Sequence, residues 1–294
     1  MKVAGFTFVR NAVKFDYPVV ESIRSILPLC NEVVVAVGKS EDQTRSLVES
    51  IGNPKIRILD TIWDDSLREG GKVLAVETDK AFRAIAADAD WAFYIQADEV
   101  LHEKYLDPVR DAMNKYLNIK EVEGLLFDYL HFYGSYDFIG DSRKWYRHEV
   151  RIIRNNREIT SYLDAQGFRK NGKKLYVANS GGAIYHYGWV KPPAYQQAKQ
   201  LNFHRYWHSD RWMDREIPRE PEFDYSGIDS LARFRGDHPK VMLGRIAAKN
   251  WTFDYDPSRK QHTLKNLLLE NIEAMTGWRP GEYKNYRLLK QLQA

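Results

Sequence analysis

Short apolar runs alternate with amphipathic segments through the first hundred residues. Apolar, β-branched and aromatic residues at 3–9 and 33–37 predict two strands, and the apolar spacing over 17–29 predicts a helix between them. The same alternation continues with a helix over 43–51, a strand over 55–59, a helix over 71–87 and a strand over 91–95. Repeated strand–helix alternation is typical of an α/β fold with a mainly parallel sheet, which we therefore expect here.

The pattern changes after about residue 120. Aromatic, strand-like stretches at 124–133 and 150–153, and short strands within 173–187, predict that the rest of the sheet is mixed. After Pro192-Pro193 the apolar spacing predicts helices over 194–207, 239–250 and 262–275. We therefore expect a core formed by residues 1–190 and a helical C-terminal extension, residues 191–294, that packs on it.

Composition excludes several classes of protein. With 44% hydrophobic and 29% charged residues, the 294-residue chain can bury a large core and is not intrinsically disordered. Cys30 is the single cysteine, so any metal site must use oxygen and imidazole ligands. No apolar run approaches the roughly 20 residues of a membrane helix, and 1–6 is typical of a strand rather than a signal peptide. These features predict a cytoplasmic protein without a transmembrane segment.

Charge is distributed unevenly along the chain. The net charge is +4, but residues 1–150 carry −6 and residues 151–294 carry +10. A basic half suits nucleic acid, anionic lipid or a phosphorylated small molecule as a partner. The segment 201–250 interleaves aromatic and basic residues, yet it contains 9 basic and 8 acidic residues, which disfavours a continuous phosphate track. We therefore expect no nucleic-acid partner.

Two carboxylates follow the fourth predicted strand. Asp98 and Glu99 come directly after an apolar run, and open α/β sheets bind ligands at the carboxyl ends of their strands. Mg²⁺ and Mn²⁺ prefer oxygen ligands and often combine one or two carboxylates with substrate phosphates. His186, on an aromatic strand, would add an imidazole ligand. A solvated acidic turn and a buried, stacked histidine are the alternatives.

Together these motifs resemble family 2 glycosyltransferases of the GT-A fold. Four segments, in the order and spacing of that family, carry the resemblance over about residues 3–190: Val9-Arg10-Asn11, 33–44, Gly70-Gly71-Lys72 and 94–99. It implies a GT-A nucleotide-diphospho-sugar transferase fold, a nucleoside-diphosphate sugar donor, and a Mg²⁺ or Mn²⁺ cofactor held by Asp98 with Glu99 and His186. The implied donor-binding residues are Val9, Arg10, Asn11, Gly38, Lys72, Gln96, Ala97 and Asp98; a turn-shaping Asn11 and a solvated Lys72 are the alternatives.

The sequence departs from the family pattern at both acidic motifs. Gln96 stands where the family often has the first acid of Asp-Ala-Asp, and Val37 and Gly38 stand at two leading acids of the loop after the second strand. An acid there would bind the base or ribose, so the donor nucleotide stays open. Asp42, in the same loop, is expected to cap the following helix rather than bind a ligand.

An inverting sugar transfer requires a general base near the acceptor hydroxyl. The chain resembles a subgroup with an Arg-rich strand and a late His-x-Gly turn, which often carries a His-Glu pair that 161–166 lacks. Asp164 is the nearest carboxylate that could replace the missing acid and is the predicted base. Glu149 and Asp141 are alternatives, although each equally suits an ion pair with neighbouring basic residues.

The sequence thus predicts a metal-dependent, inverting glycosyltransferase of cell-surface polysaccharide biosynthesis, cytoplasmic or peripheral at the inner face of the membrane. Its acceptor would be a saccharide, a lipid-linked molecule or a peptide. A nucleotidyltransferase of similar architecture is one alternative, although Val9-Arg10-Asn11 lacks the glycine-rich first loop of that class. A catalytically degenerate GT-A domain that binds a saccharide or a partner is the other.

Overall fold

A large mixed sheet lies at the centre of the computed structural model, which describes residues 1–217, 220–261 and 263–289. The strands are β1 (Val3–Val9), β2 (Glu32–Gly38), β3 (Ile56–Thr61), β4 (Trp91–Tyr94), β5 (Glu99–Leu101), β6 (Gly124–Tyr133), β7 (Phe138–Gly140), β8 (His148–Arg154), β9 (Ile159–Tyr162), β10 (Gly167–Lys170), β11 (Lys173–Lys174), β12 (Tyr176–Trp189), β13 (Leu231–Arg233) and β14 (Arg287–Leu288). The helices are α1 (Val19–Ile26), α2 (Thr44–Glu49), α3 (Lys72–Ala84), α4 (Leu106–Lys115), α5 (Pro193–His204), α6 (Asp210–Glu216), α7 (Leu243–Ala247) and α8 (Leu264–Thr276).

The strand order confirms the predicted α/β class with a mixed central sheet. β1 pairs in parallel with β2 and β4, and β2 pairs in parallel with β3, which gives the order β3-β2-β1-β4. β8 lies between β4 and β6 and is antiparallel to both. β12 runs parallel to β6. The carboxyl ends of β1, β2, β3 and β4 therefore meet at one edge of the sheet, where ligands of open α/β sheets bind.

Helices cover both faces of the sheet. On one face, Val19, Ile23 and Ile26 of α1 join a core with Val33 and Val35 of β2. On the other face, α3 contributes Val73, Ala81 and Phe82 to a core with Phe6 and Tyr94. Because the central strands are buried on both sides, they form continuous apolar runs without alternation, and this is why they could be predicted from the sequence.

The segment 173–187 differs from the prediction of several short strands. The segment forms the short β11 and the long β12, in which Gly181 has a φ of +72° and the register shifts between Asn179 and Ala183. This bulge lets one strand continue where several short strands were predicted. The predicted helix over 262–275 begins at Leu264, and His262 lies outside the described residues.

The residues after 190 add to the core as well as forming helices. β13 pairs with β7, and β14 pairs with β12. Tyr206 is buried in the same core as α3, and Met242 packs in a cluster with strands β6 and β12. Within the described ranges, the structure has no helix with the length and apolar character needed to span a membrane.

Candidate active site

A cavity of about 510 Å³ opens at the carboxyl ends of β1 and β4. Helix α5 and the residues after it form the opposite wall, with Lys199 and Tyr206 among them. Aromatic side chains form much of the lining, including Trp63 and Trp189. The sequence-predicted residues that line it are Val9, Arg10, Gln96, Ala97, Asp98, Asp164 and His186. The fold thus gathers residues from distant segments at the edge where a ligand is expected.

Asp98 is buried at the wall of this cavity and is paired with cations. Lys199 Nζ lies 3.1 Å from its Oδ2, and His186 Nε2 lies 3.8 Å from its Oδ1. Burial raises the pKa of this carboxyl, but the ammonium of Lys199, with the neighbouring imidazole of His186 and side chain of Lys191, outweighs burial and holds the pKa below its usual range. Lys199 also donates to the carbonyl oxygen of Gly188 at 2.8 Å. Asp98 is therefore an ionised carboxylate with one oxygen bound to a fixed ammonium group.

The imidazole of His186 faces Asp98, and its burial favours the neutral form. Burial lowers its pKa, and this outweighs the opposite effects of Asp98 and Glu99. Its other ring nitrogen, Nδ1, lies 3.2 Å from Nδ1 of His131, whose own pKa is lowered by burial to about 3. A neutral imidazole is the form that binds a metal ion.

Gly188 leaves a space between these two side chains. A Cβ atom at this position would lie 2.6 Å from His186 Nε2 and 2.7 Å from Asp98 Oδ2. Oδ2 of Asp98, which also accepts from Lys199, and Nε2 of His186 thus converge on the place beside Gly188 that a side chain would occupy. Among the residues that the structure describes, no group of three or more His, Cys, Asp or Glu side chains is arranged to hold a metal ion. The chain would therefore supply two ligands here, and substrate phosphates and water would supply the rest.

Gly188→Ala is expected to weaken Mn²⁺ binding by about 10- to 100-fold without unfolding the protein. Gly188 is not among the positive-φ glycines, so alanine suits the backbone, but its methyl group would fill the space between Asp98 and His186. Mn²⁺ titration followed by electron paramagnetic resonance measures the affinity. The control is Gly244→Ala, because a Cβ there meets nothing within 4 Å. Equal Mn²⁺ affinities for the two variants would contradict this assignment.

Glu99 does not face the cavity, which corrects its prediction as a metal ligand. Arg151 donates to its Oε1 at 2.7 Å and to its Oε2 at 2.8 Å. The hydroxyl of Tyr129 donates to Oε1 at 2.7 Å, and the backbone N–H of Gln96 donates to Oε2 at 3.0 Å. These four bonds use the acceptor positions of both oxygens. Glu99 instead ties β5 to β8 and fixes the turn that presents Asp98.

Three residues predicted to bind the donor instead contact other parts of the protein or face solvent. Asn11 shapes its turn, with a φ of +57° and its Oδ1 accepting from the backbone N–H of Glu41 at 2.8 Å. Lys72 is exposed at the start of α3 and is not part of the cavity lining. Arg10 lines the cavity, but its guanidinium is paired with Asp65 at 2.6 Å. Asn11 therefore shapes a turn and Lys72 faces solvent, which are the alternatives to donor binding that the sequence left open.

Gly38 lines a second cavity, of about 480 Å³, rather than the main one. A side chain at position 38 would overlap the indole ring of Trp63, which lines the main cavity. Asp42 lies at the start of α2, where it accepts from the backbone N–H of Thr44 at 3.0 Å. The N-cap residue of α2 is Gln43, without a side-chain capping hydrogen bond, so Asp42 shapes the turn before the helix and is not the cap that the sequence predicted. Glycine at position 38, where the family has an acid, therefore leaves space for the indole ring of Trp63 in the wall of the main cavity.

Two acidic groups near the cavity have a raised pKa. Asp164 lines the cavity, and burial raises its pKa against the opposing effect of nearby backbone N–H groups. Glu149 lies behind Gln166, which donates to it at 2.8 Å, and burial raises its pKa to about 7. Asp141 accepts from Ser230, away from the cavity. A raised pKa suits a general base, and Asp164 is the one of these three carboxylates that reaches the cavity.

Glu149→Gln is expected to flatten the dependence of stability on pH. Between pH 4.5, the ordinary carboxyl value, and about pH 7, the unfolded chain loses the Glu149 proton while the folded chain keeps it. The native state then binds more protons, so its stability falls as pH rises, by roughly 3 kcal/mol over this window. Urea unfolding at pH 5 and pH 8 measures the difference, with Glu41→Gln on the surface as the control. An identical pH dependence in wild type and Glu149→Gln would contradict the raised pKa.

The sequence analysis missed Lys199 and His131. Lys199 lies within a correctly predicted helix, where its spacing does not distinguish it from a surface lysine. His131 lies on β6, and only the pairing of this strand with β12 brings it to His186. The available signal was the burial of both strands, because a polar residue on a buried strand requires a partner.

No protein-family model matches the sequence, and no curated protein matches it. Among solved structures, TarS from S. aureus is similar with a TM-score of 0.33 and 16% identity, over 46% of this chain and 36% of that chain. Glucosyl-3-phosphoglycerate synthase from Mycobacterium tuberculosis, solved with Mn²⁺, UDP and phosphoglyceric acid, gives 0.31 and 15%, over 44% and 43%. A 4-diphosphocytidyl-2C-methyl-D-erythritol synthase from Anaerococcus prevotii gives 0.33 and 8%, over 52% and 70%. The match spans less than half of the first two chains, and TM-scores this low do not establish what the present protein does.

Proposed function

We propose that the protein is a glycosyltransferase that transfers the sugar of a nucleoside-diphosphate sugar to an acceptor hydroxyl. The observation that carries the proposal is the convergence of Asp98, His186 and Lys199 on the wall of an aromatic-lined cavity at the end of β4. A diphosphate requires positive charge around it, and a base and a sugar ring require apolar faces. The cavity offers both, and its volume of about 510 Å³ suits a ligand of this size.

The residues around Gly188 fit a divalent cation. Asp98 contributes a carboxylate oxygen and His186 a neutral imidazole nitrogen, and both adjoin the space that the missing Cβ leaves. These two residues would hold Mg²⁺ or Mn²⁺, which when bound would neutralise the charge on the departing diphosphate. Lys199 adds a fixed positive charge at Oδ2 of Asp98, the oxygen that also adjoins this space.

Lys199 is placed to contact the donor directly. Its ammonium group donates to Asp98 at 3.1 Å and to the carbonyl of Gly188 at 2.8 Å. An ammonium group has three N–H bonds, so one is left for a phosphate oxygen of the donor. The Lys199 ammonium nitrogen lies 5.1 Å from the ring centroid of Tyr17, and this cation–π contact stabilises its charge. In this proposal Lys199 stabilises the negative charge that develops on the leaving group.

Asp164 is the proposed general base. It takes the proton of the acceptor hydroxyl as the acceptor oxygen bonds to the anomeric carbon. The bond from that carbon to the diphosphate breaks, and the electron pair leaves with the diphosphate. Attack on the side opposite the leaving group inverts the configuration at the anomeric carbon. Burial raises the pKa of Asp164, which makes its carboxylate a better proton acceptor.

Asp164→Asn is expected to lower kcat by about 10²- to 10⁴-fold with little change in donor affinity, because asparagine cannot accept the proton. The assay is a panel of nucleoside-diphosphate sugars with Mg²⁺ or Mn²⁺, scored for hydrolysis and for transfer to saccharide acceptors. Asp88→Asn is the control, since Asp88 is a surface residue paired with Lys2. An unchanged kcat would remove Asp164 from the mechanism.

The same panel tests the function itself. Binding of at least one nucleoside diphosphate together with Mn²⁺ is the expected result. Release of pyrophosphate from a nucleoside triphosphate would instead indicate a nucleotidyltransferase. Saccharide binding without affinity for any nucleoside diphosphate would indicate a binding domain without turnover. Either result would contradict the proposal.

A further inference from the structure

A second histidine lies directly behind His186. His131 on β6 is the register neighbour of His186 on β12, and 3% of its surface is exposed. The Nδ1 atoms of the two rings are 3.2 Å apart. A hydrogen bond between two ring nitrogens requires a proton on one and a lone pair on the other. The identity of the donor therefore decides what His186 presents to the cavity.

The contact made by the other ring nitrogen of His131 determines which of the two histidines donates this hydrogen bond. Its Nε2 lies 2.8 Å from the backbone carbonyl oxygen of Tyr146, which can only accept, so Nε2 carries a proton. The ring is stacked with Trp145 and Tyr129, at centroid distances of 5.0 and 5.5 Å. Such an apolar, aromatic environment keeps the imidazole neutral. A neutral ring with its proton on Nε2 has a lone pair on Nδ1, and His186 must then donate from its own Nδ1.

With its Nδ1 proton held by His131, the neutral, metal-binding form of His186 has its lone pair on Nε2. This atom faces Oδ1 of Asp98 at 3.8 Å, and a carboxylate oxygen also carries lone pairs. In this form of His186, two acceptors face each other with no proton between them. This arrangement is unfavourable by itself and is stabilised by a cation bound to both atoms.

We propose that His131 is a positioning residue for this cation site: with the carbonyl of Tyr146, it fixes the proton of His186 on Nδ1 and directs the Nε2 lone pair toward Asp98. The inference goes beyond the proposed function, and it rests on that function only for the identity of the cation as divalent. Metal-binding histidines commonly donate their second N–H to an oxygen acceptor. Here a neutral imidazole takes that place.

The protonation pattern is measurable in the metal-free protein. Long-range ¹H–¹⁵N spectra of the ¹⁵N-histidine-labelled wild type distinguish a protonated ring nitrogen from one with a lone pair. The expected pattern is Nδ1–H with a bare Nε2 for His186, and the reverse for His131. The spectrum of His131→Asn, which lacks the His131 signals, assists the assignment. A proton on Nε2 of His186 would overturn the proposal, whatever the activity of the protein.

Two substitutions separate positioning from simple packing. His131→Phe keeps an aromatic ring but removes the acceptor, and it is expected to weaken Mn²⁺ binding by about 10- to 100-fold. His131→Asn places an amide oxygen near the position of Nδ1 and is expected to retain most of the affinity. Thermal unfolding without metal reports any loss of packing in either variant.

Several outcomes would overturn the inference. Wild-type Mn²⁺ affinity in His131→Phe would do so, as would equal losses in both variants, which would indicate a packing role. Absence of Mn²⁺ binding by the wild-type protein would also do so. Failure of sugar transfer alone would not, because the protonation pattern and the Mn²⁺ affinity do not require turnover. The failure of this inference and that of the proposed function are thus distinguishable.

Discussion

Replacing Asp98 with asparagine is expected to abolish Mn²⁺ binding and to lower kcat/KM for the donor by about 10²- to 10³-fold. The substitution keeps the shape of the side chain but removes the charge that faces Lys199 and His186. An amide is a weak ligand for a hard cation, and half of its surface presents N–H donors instead of an acceptor. Calorimetric titration with Mn²⁺ and steady-state assays with the donor measure the two effects.

Asp98→Asn also leaves the ammonium of Lys199 without its carboxylate, so a control for stability is needed. The double variant Asp98→Asn/Lys199→Met removes both charges and is expected to regain most of the lost stability while Mn²⁺ binding stays absent. Asp107→Asn, at an exposed position on α4, is the matched control for the loss of one carboxylate. Wild-type Mn²⁺ affinity in Asp98→Asn would remove Asp98 from the cation site.

Arg151→Met is expected to lower the free energy of unfolding by about 3–5 kcal/mol, the largest effect on stability that we predict. Arg151 and Glu99 are both fully buried, and removal of the guanidinium leaves an uncompensated carboxylate in the core. Urea unfolding measures the change. The turn before β5 is held by the same carboxylate, so a loss of Mn²⁺ affinity is expected to accompany the loss of stability.

The double variant Glu99→Gln/Arg151→Met tests the cause of that destabilisation. It removes both charges, so it is expected to be more stable than Arg151→Met alone. Arg45→Met is the surface control: Arg45 pairs with Asp60 at 2.9 Å, and both side chains are about half exposed or more. Its loss is expected to cost at most about 1 kcal/mol. Similar losses for Arg151→Met and Arg45→Met would contradict a buried, structural ion pair.

The central strands were predictable from the sequence, whereas the short ones were not. β1 and β6 have the predicted bounds because long buried runs give a clear apolar signal. β5, β9 and β10 have only three or four residues each, and a periodicity cannot be read over so short a stretch. The sequence predicts several short strands within 173–187, whereas β12 continues through a bulge at Gly181.

The site could be predicted only in part from the sequence, as the adjacent carboxylates Asp98 and Glu99 show. The sequence places Asp98 and Glu99 after β4 but does not determine which side each faces. Glu99 is the first residue of β5, and side chains of successive residues near a strand point to opposite sides. Asp98 therefore faces the cavity, and Glu99 faces Arg151, which lies 52 residues further along the chain. That pairing depends on the sheet order and could not be derived from local spacing.

The central claim is that a divalent cation and a nucleoside diphosphate bind together at Asp98, His186 and Lys199. A crystal structure of the protein with Mn²⁺ and the nucleoside diphosphate that binds most tightly in the panel tests it most directly. The predicted result is Mn²⁺ bound to Asp98 and to Nε2 of His186, with the diphosphate also in contact with Lys199. A diphosphate bound elsewhere, or bound in this cavity with no Mn²⁺ at Asp98, would contradict the claim.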